Sequence, residues 1–253
     1  MQHDPTDSQP KITPLPQEKR FAPPTLAESS LNPPVAVGTD EHEDNESEHN
    51  LQALQPCMPS RFFHDDDQKD FLSWVATDVP LELEIGSGKG LFLTNSAKRS
   101  PNHRFVGLEL AAKYALECQS RIEKIGIPNA RFFACDAVAV LDQDVGDGSL
   151  DAVHVYFPDP WWKSRHKKRR VLNEKSLVNI ERTLKASGSF HFWTDVLDYY
   201  EGTLELIDRV TKLKGPFFVS EPQAEHDMDY LTHFERRTRR NGLPVYRSRF
   251  TKG

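Results

Sequence analysis

Read only for its apolar positions, the chain divides at about residue 60. From Met1 to Pro59 apolar residues lie scattered among Pro, Glu, Asp, Ser and Asn, with neither the period of a helix nor the alternation of a strand. Beyond Arg61 short apolar runs alternate with amphipathic ones. Leu81-Glu82-Leu83-Glu84-Ile85 predicts a strand running into Gly86-Ser87-Gly88-Lys89-Gly90, and residues 91–99 predict the first helix. Arg104 to Glu109 predicts a second strand; in the helix after it Tyr114, Ala115, Cys118, Ile122 and Ile125 share one face, and Gly126 ends it. A third strand over 131–136, a short helix over 138–141, the turn Gly146-Asp147-Gly148-Ser149 and a fourth strand over 150–157 follow. A helix carrying Leu177, Ile180 and Leu184 leads through Gly188 to a fifth strand over 189–194, and the next helix presents Leu197, Tyr200, Leu204 and Ile207. Residues 216–219 and 245–250 predict an antiparallel pair at the sheet edge. This order predicts an α/β fold, a doubly wound mostly parallel sheet with an antiparallel C-terminal strand pair.

Composition fits that division. In 253 residues, 37% hydrophobic content suffices for one sizeable core. The formal charge of -6 belongs to the leader, because residues 1–58 hold ten acids and three bases while the remainder holds 28 acids and 29 bases. A segment so polar buries too little surface to offset its ordering entropy, so residues 1–59 are expected to form a disordered, acidic, Pro-rich extension and residues 60–253 the folded domain. Cys57, Cys118 and Cys135 lack both the even number of a disulfide framework and the spacing of a zinc site, and no metal is expected. No run approaches the roughly 18 apolar residues of a membrane span, and the start has no signal-peptide character. A cytoplasmic protein is the expectation.

In doubly wound sheets ligands bind beyond the carboxyl ends of the strands. Glu84, Glu109, Asp136, Asp159 and Asp195 fall there, one for each of the five parallel strands. An unpaired carboxylate costs several kcal/mol to bury, so a core has no use for such a series. Gly86, Gly88 and Gly90 form a G-x-G-x-G turn, which serves either as a tight connection or as a place where backbone approaches a ligand closely. Its third glycine comes one place early for a dinucleotide fingerprint. Glu109 can accept both hydroxyls of a ribose; Asp136 suits an adenine amino group and equally a helix N-cap. No further group is placed to hold a pyrophosphate, and S-adenosylmethionine answers that description.

Phe157-Pro158-Asp159-Pro160-Trp161-Trp162 is harder to explain as packing. Proline fixes its own φ and steers the preceding residue away from the helical region, so Asp159 is expected on a stiff turn. After Lys163 come Arg165, His166, Lys167, Lys168, Arg169 and Arg170 without an acid among them. Cations beside aromatics suit a nucleic-acid backbone with a base to stack on, against the plain alternative of a solvated loop. A second group, Arg236, Arg237, Arg239 and Arg240, is read as lying on a loop that either widens an RNA footprint or is solvated.

Glu84-Ile85-Gly86-Ser87-Gly88-Lys89-Gly90, then Phe157-Pro158-Asp159-Pro160-Trp161 with Lys163 and residues 165–170, then Thr194-Asp195, and finally Thr232-His233-Phe234-Glu235 together resemble the bacterial tRNA (guanine-N7-)-methyltransferases over about residues 60–250. The resemblance implies a Rossmann-like methyltransferase fold and methyl transfer from S-adenosyl-L-methionine to N7 of guanine at position 46, in the variable loop of tRNA. It also implies that Glu84, Glu109, Asp136 and Asp159 contact the cofactor or the reaction centre. Lys163, Asp195, Thr232, His233, Phe234 and Glu235 would then contact substrate. The expected partner is tRNA, with no DNA, no membrane and no obligatory protein partner; monomer and homodimer both fit. Val196, where the family more commonly has Trp or Asn, departs from the pattern, as does the acidic leader.

Two other classes compete. A nicotinamide oxidoreductase uses the strand-end acids and the glycine turn but has no need of the Pro-Asp-Pro-Trp corner or the cations. A methyltransferase acting on another RNA, or a non-catalytic RNA-binding module on the same fold, would keep the basic loop; the module would not need Glu84, Glu109 and Asp136 intact. His154, His166 and His191 lack zinc-site spacing and are read as hydrogen-bonding or RNA-contacting residues.

Overall fold

The computed structural model describes residues 65–253 apart from Pro222, Ala224, Glu225, Asp227, Met228 and the side chains of Asp65, Ser164 and Lys167. The expected N-terminal extension lies outside the described residues. The elements run α1 (Asp65–Val75), β1 (Leu81–Ile85), α2 (Leu91–Arg99), β2 (Arg104–Glu109), α3 (Ala112–Lys124), β3 (Ala130–Ala134), α4 (Ala137–Gln143) and β4 (Leu150–Tyr156). A 3-10 helix (Ser164–Arg169), α5 (Glu174–Thr183), β5 (Leu184–Thr194), α6 (Leu197–Val210), β6 (Lys214–Phe217), α7 (His233–Arg240) and β7 (Tyr246–Thr251) follow among the described residues.

Seven strands form one sheet in the order β3-β2-β1-β4-β5-β7-β6. β1 to β5 are parallel to their neighbours, and β7 enters antiparallel between β5 and β6. The chain winds outward through β2 and β3, returns, and winds the other way through β4 and β5. The switch point therefore lies between β1 and β4, where a crevice opens at the carboxyl ends.

Parallel strands need cover on both faces. On one face Leu83, Val106, Val153 and Phe190 pack with Phe71 of α1, Leu141 of α4, Leu177 and Ile180 of α5, and Ile207 of α6. On the other, Phe105, Phe132, Tyr156 and Trp193 pack with Phe92 and Leu93 of α2 and with Cys118 and Ile122 of α3. Gly107 of β2 makes this second layer possible. A Cβ there would come within 2.5 Å of Phe132 and 2.7 Å of Leu93.

Three details depart from the sequence expectation. β5 begins at Leu184, five residues early, with a register shift opposite Leu150 and Ala152 and a left-handed Ser187. Gly188 therefore sits inside the strand, where a Cβ would meet the Lys185 carbonyl at 2.9 Å. α6 buries Tyr199, Thr203 and Ile207, while Leu197 is exposed. In α3 the buried stripe is Ala115, Cys118 and Ile122, with Tyr114 and Ile125 at its exposed edges. No helix among the described residues is long and apolar enough to cross a membrane.

Candidate active site

The turn after β1 uses its glycines in two ways. Gly86, Gly88 and Gly90 all have left-handed backbone, with φ of 73°, 52° and 69°. At Gly90 a Cβ would lie 2.7 Å from the Phe132 ring and 2.9 Å from Cys118 Sγ, so this glycine is demanded by packing. At Gly86 a Cβ would meet nothing within 4 Å. The Gly86 and Ser87 amides donate to the Leu108 carbonyl at 2.8 and 3.2 Å, and the Gly88 amide to Glu109 Oε2 at 2.8 Å. Glu109 Oε1 accepts from the Ala111 amide at 2.9 Å, so this carboxylate fastens the turn to the end of β2.

Glu84 lies beneath the turn, 3% exposed, and its Oε2 has no hydrogen-bond partner. Burial, and secondarily the nearby Glu109, push its carboxyl well above the usual range. Leaving a buried acceptor unpaired costs about 1–3 kcal/mol. Such a group is satisfied when a ligand brings a donor or a cation to it.

Above Glu84 opens a cleft of about 660 Å³. The glycine turn and Lys89 form one wall, Tyr156 and Phe157 continue the floor along β4, and Thr232, His233, Phe234, Arg236, Arg237 and Arg240 form the opposite wall. That wall is α7. The second arginine group is thus helical, where a loop was expected. The signal for this helix was a capping pattern: Thr232 Oγ1 accepts from the Glu235 amide at 3.0 Å, and Glu235 Oε2 reaches back to the Leu231 amide at 2.7 Å.

The inner side of α7 is tied down by charge. Glu235, 1% exposed, accepts from Arg247 Nη2 at 2.9 Å and lies 3.4 Å from Arg239 Nη1. Glu221 bridges the same two arginines at 2.8 and 2.7 Å. Thr238 Oγ1 donates to Asp195 Oδ2 at 3.3 Å, joining the helix to the end of β5. Asp195 and Glu235 thus hold the wall in place, while Thr232, His233 and Phe234 face the cleft. Burial, then Arg236, Lys89 and Arg121, keep the His233 imidazole below its ordinary range.

β4 leaves the sheet through a strained corner. Phe157 and Trp161 have φ of 50° and 42°, so two left-handed non-glycine residues bracket Pro158-Asp159-Pro160. The Phe157 amide donates to the Trp193 carbonyl at 2.8 Å, and its ring stacks on Phe234 with centroids 6.1 Å apart. Arg170 Nε donates to the Pro160 carbonyl at 2.7 Å while its guanidinium lies 4.5 Å from the Tyr199 ring centroid. Arg170 is therefore a clasp within the corner. Arg169 covers Trp161 at 5.2 Å and, with Arg165 and Lys168, is exposed. His166 packs edge-on to Trp161 and accepts from Arg165 Nε at 3.2 Å. Asp159 and Lys163 are exposed and stand outside the cleft lining. Lys167 has no described side chain.

Asp136 caps α4, its Oδ1 accepting from the Val138 and Ala139 amides at 3.0 and 3.4 Å. His154 bonds Tyr156 Oη and Glu82 Oε2, each at 2.9 Å, and stacks on His191 at 4.8 Å. Burial alone would raise the Glu82 carboxyl, but hydrogen bonds and charge from His154 and His103 hold it at about 2. Burial lowers His191 to about 3. Among the described residues no three His, Cys, Asp or Glu converge on a metal position. Lys89, Tyr114, Tyr156 and Phe157 line the cleft, and although Lys89 and Phe157 stand in the motifs quoted above, sequence assigns none of the four a binding role, because their approach is set by the packing of β1, α3 and β4.

A sheet with this strand order, a glycine turn at its switch point and acids at the following strand ends defines the Rossmann-like methyltransferase class. Among solved structures, an antibiotic-related methyltransferase covers 76% of this chain and 97% of its own length with a TM-score of 0.53 at 15% identity, a likeness of fold. A family profile described as a putative methyltransferase matches residues 78–248. The chain is 50% identical over 181 residues to the tRNA (guanine-N(7)-)-methyltransferase of Rhodopirellula baltica, covering 69% of this chain and 67% of that one. It is 33% identical over 196 residues to the enzyme of the same name from Aeromonas hydrophila, covering 78% and 82%. The chain belongs to the tRNA (guanine-N7-)-methyltransferase family.

Proposed function

We propose that the chain methylates N7 of a variable-loop guanine in tRNA, position 46, with S-adenosyl-L-methionine as methyl donor. The observation that carries this reading is the cleft itself, an unpartnered buried carboxyl and an open glycine turn facing a wall of arginines and Phe234. The cofactor fits the residues present. Its cationic methionine end satisfies Glu84 Oε2, and the space above Gly86 admits a ligand against the backbone. Glu109 ends β2 and Asp136 follows β3; neither lines the cleft, and their assignment to the ribose hydroxyls and the adenine amino group rests on the family resemblance.

When bound, the sulfonium cofactor supplies an electrophilic methyl group. Guanine N7 carries a free in-plane lone pair, so no proton has to leave before attack and no general base is needed. The N7–carbon bond forms as the carbon–sulfur bond breaks, the electron pair passes to sulfur, and positive charge passes to the purine. Asp159, on its strained corner, is assigned to accept from guanine N1–H and the exocyclic amine and to stabilise the charged ring. Its neighbours Arg165, Lys168 and Arg169 grip phosphates, and Lys163 and Thr232 to Phe234 position the substrate. The larger share of rate comes from aligning N7, the methyl carbon and sulfur.

The test is incubation of the full chain with labelled cofactor and bulk tRNA, followed by borohydride and aniline cleavage to map the modified base. Cleavage at the variable-loop guanine is expected. Label at any other base, or on another RNA only, overturns the assignment.

A further inference from the structure

We infer that Arg236, Arg237 and Arg240 on the cleft side of α7 form a second phosphate-binding surface, separate from the basic loop over 163–170, that grips the RNA backbone beside the target guanosine. This rests on the proposed RNA substrate and adds where its backbone runs.

The four arginines of α7 are divided by the helix. Arg239 is directed to the interior, where it meets Glu221 and Glu235. Arg236, Arg237 and Arg240 line the cleft, half-buried or exposed. Across the cleft stands Lys89, whose carbonyl accepts from Arg121 Nη1 at 2.8 Å. His233, between these cations, is held below its ordinary range by burial and by Arg236, Lys89 and Arg121, an independent sign that positive potential concentrates at this mouth.

The cleft is therefore bipolar, with an acidic floor at Glu84 and a cationic rim. One cofactor carboxylate does not require three guanidiniums and a lysine. A polyanion does, and planar guanidiniums suit phosphate oxygens. Half-exposed Phe234 supplies the other element of single-strand recognition, an aromatic face, with the Arg237 guanidinium 4.8 Å from its centroid. Phe234 also stacks on Phe157, the residue that opens the Pro-Asp-Pro corner, so α7 touches the chain that leads into the basic loop. A guanine presented to the cleft carries a phosphate on each side, and the α7 arginines are assigned one of them.

The test compares full-length wild type with R236Q/R237Q/R240Q, R236K/R237K/R240K and R165Q/K168Q/R169Q, all without cofactor. Affinity for unmodified tRNA is read by fluorescence anisotropy from 50 to 300 mM salt, and S-adenosylmethionine affinity by calorimetry. Each lost phosphate contact lowers the slope of log K against log salt by about 0.7–0.9. The α7 glutamine set is expected to lose about 2 in slope and at least tenfold in low-salt affinity, to keep cofactor affinity within twofold, and to be largely restored by the lysine set. Unchanged tRNA affinity and slope overturn the inference, and so does loss of cofactor affinity with tRNA binding intact, which assigns the arginines to the cofactor. If the glutamine set does not fold, R240Q and R240K decide the matter by the same slope. Because no methyl transfer is read, failure here is distinct from failure of the proposed reaction, which base mapping reports.

Discussion

Gly86 and Gly90 are four positions apart, share left-handed backbone and predict opposite phenotypes when changed to alanine. Forcing an L-residue into this conformation costs about 1–2 kcal/mol at either site. Gly90→Ala adds an overlap of Cβ with Phe132 and Cys118 at 2.7–2.9 Å, against a ring and a thiol that are both buried. Overpacking of this kind costs about 1–3 kcal/mol more, for a total of about 2–5 kcal/mol. Gly86→Ala has no such overlap, so its stability loss stays near the backbone value. Its methyl group instead occupies the open space above Glu84, where close approach of the cofactor is proposed.

Urea unfolding at fixed pH measures the first effect, and calorimetric titration with S-adenosylmethionine the second. Gly90→Ala is expected to show the larger fall in midpoint. Gly86→Ala is expected to stay folded and lose at least tenfold in cofactor affinity, which corresponds to about 1.4 kcal/mol. Wild-type cofactor affinity in Gly86→Ala would falsify the assignment of this turn to the cofactor and reduce it to a strand-to-helix connection. An equal stability loss at both positions would mean that the space above Gly86 is not available.

Three further outcomes follow from named contacts. Asp159→Ala is expected to lower kcat about 100-fold with little change in S-adenosylmethionine affinity, since it removes one preorganised acceptor; equal losses in single-turnover rate and calorimetric affinity would move Asp159 to the cofactor side. Glu235→Gln removes the buried carboxylate that Arg247 and Arg239 share and leaves Glu221 as their common acid, and chemical denaturation is expected to show a loss of about 1–3 kcal/mol; native stability with abolished tRNA methylation would make Glu235 a substrate ligand instead. His191, half-buried and held at about 3, stays neutral in the folded protein until the pH falls to about 3. With fewer protons bound in the folded state, stability falls as pH drops from about 6.5 towards 3, by about 2–3 kcal/mol at pH 4.5. His191→Gln is expected to flatten that segment of the urea midpoint against pH, and an unchanged profile would refute the neutral imidazole.

The parallel strands were legible because each is a short apolar run closed by a glycine or an acid. What escaped the sequence depended on partners far along the chain. α1, which opens with Asp65-Asp66-Asp67, was not expected as an element; Phe71, edge-on to Phe133 at 5.4 Å, with Trp74 and Val75 packed beside it, commits it to the core. In α6 the expected Tyr200, Leu204 and Ile207 do pack on the core, but the buried stripe also takes in Tyr199 and Thr203, which look like surface residues, and leaves Leu197 exposed. Tyr199 is buried since it packs edge-on against Phe192 and lies beneath Arg170, neither of which local periodicity can supply. α7 has few apolar residues, so only its capping pair announced it.

The strand-end acids mark the limit most sharply. Sequence placed all five beside the crevice and could not rank them, because a carboxylate that braces a backbone and one that awaits a ligand are the same residue type. The structure separates them by what each already holds. Glu109 fastens the Gly88 and Ala111 amides, Asp136 caps α4, Asp195 accepts from Thr238, and Asp159 stands exposed on its corner. Glu84 differs, being buried with an oxygen left unpartnered against the cleft. A ligand at Glu84 gains the interaction that the fold withholds, whereas at Glu109 or Asp136 it must share an acceptor with the backbone. The acid that costs the free protein most is therefore the one whose satisfaction contributes most to binding.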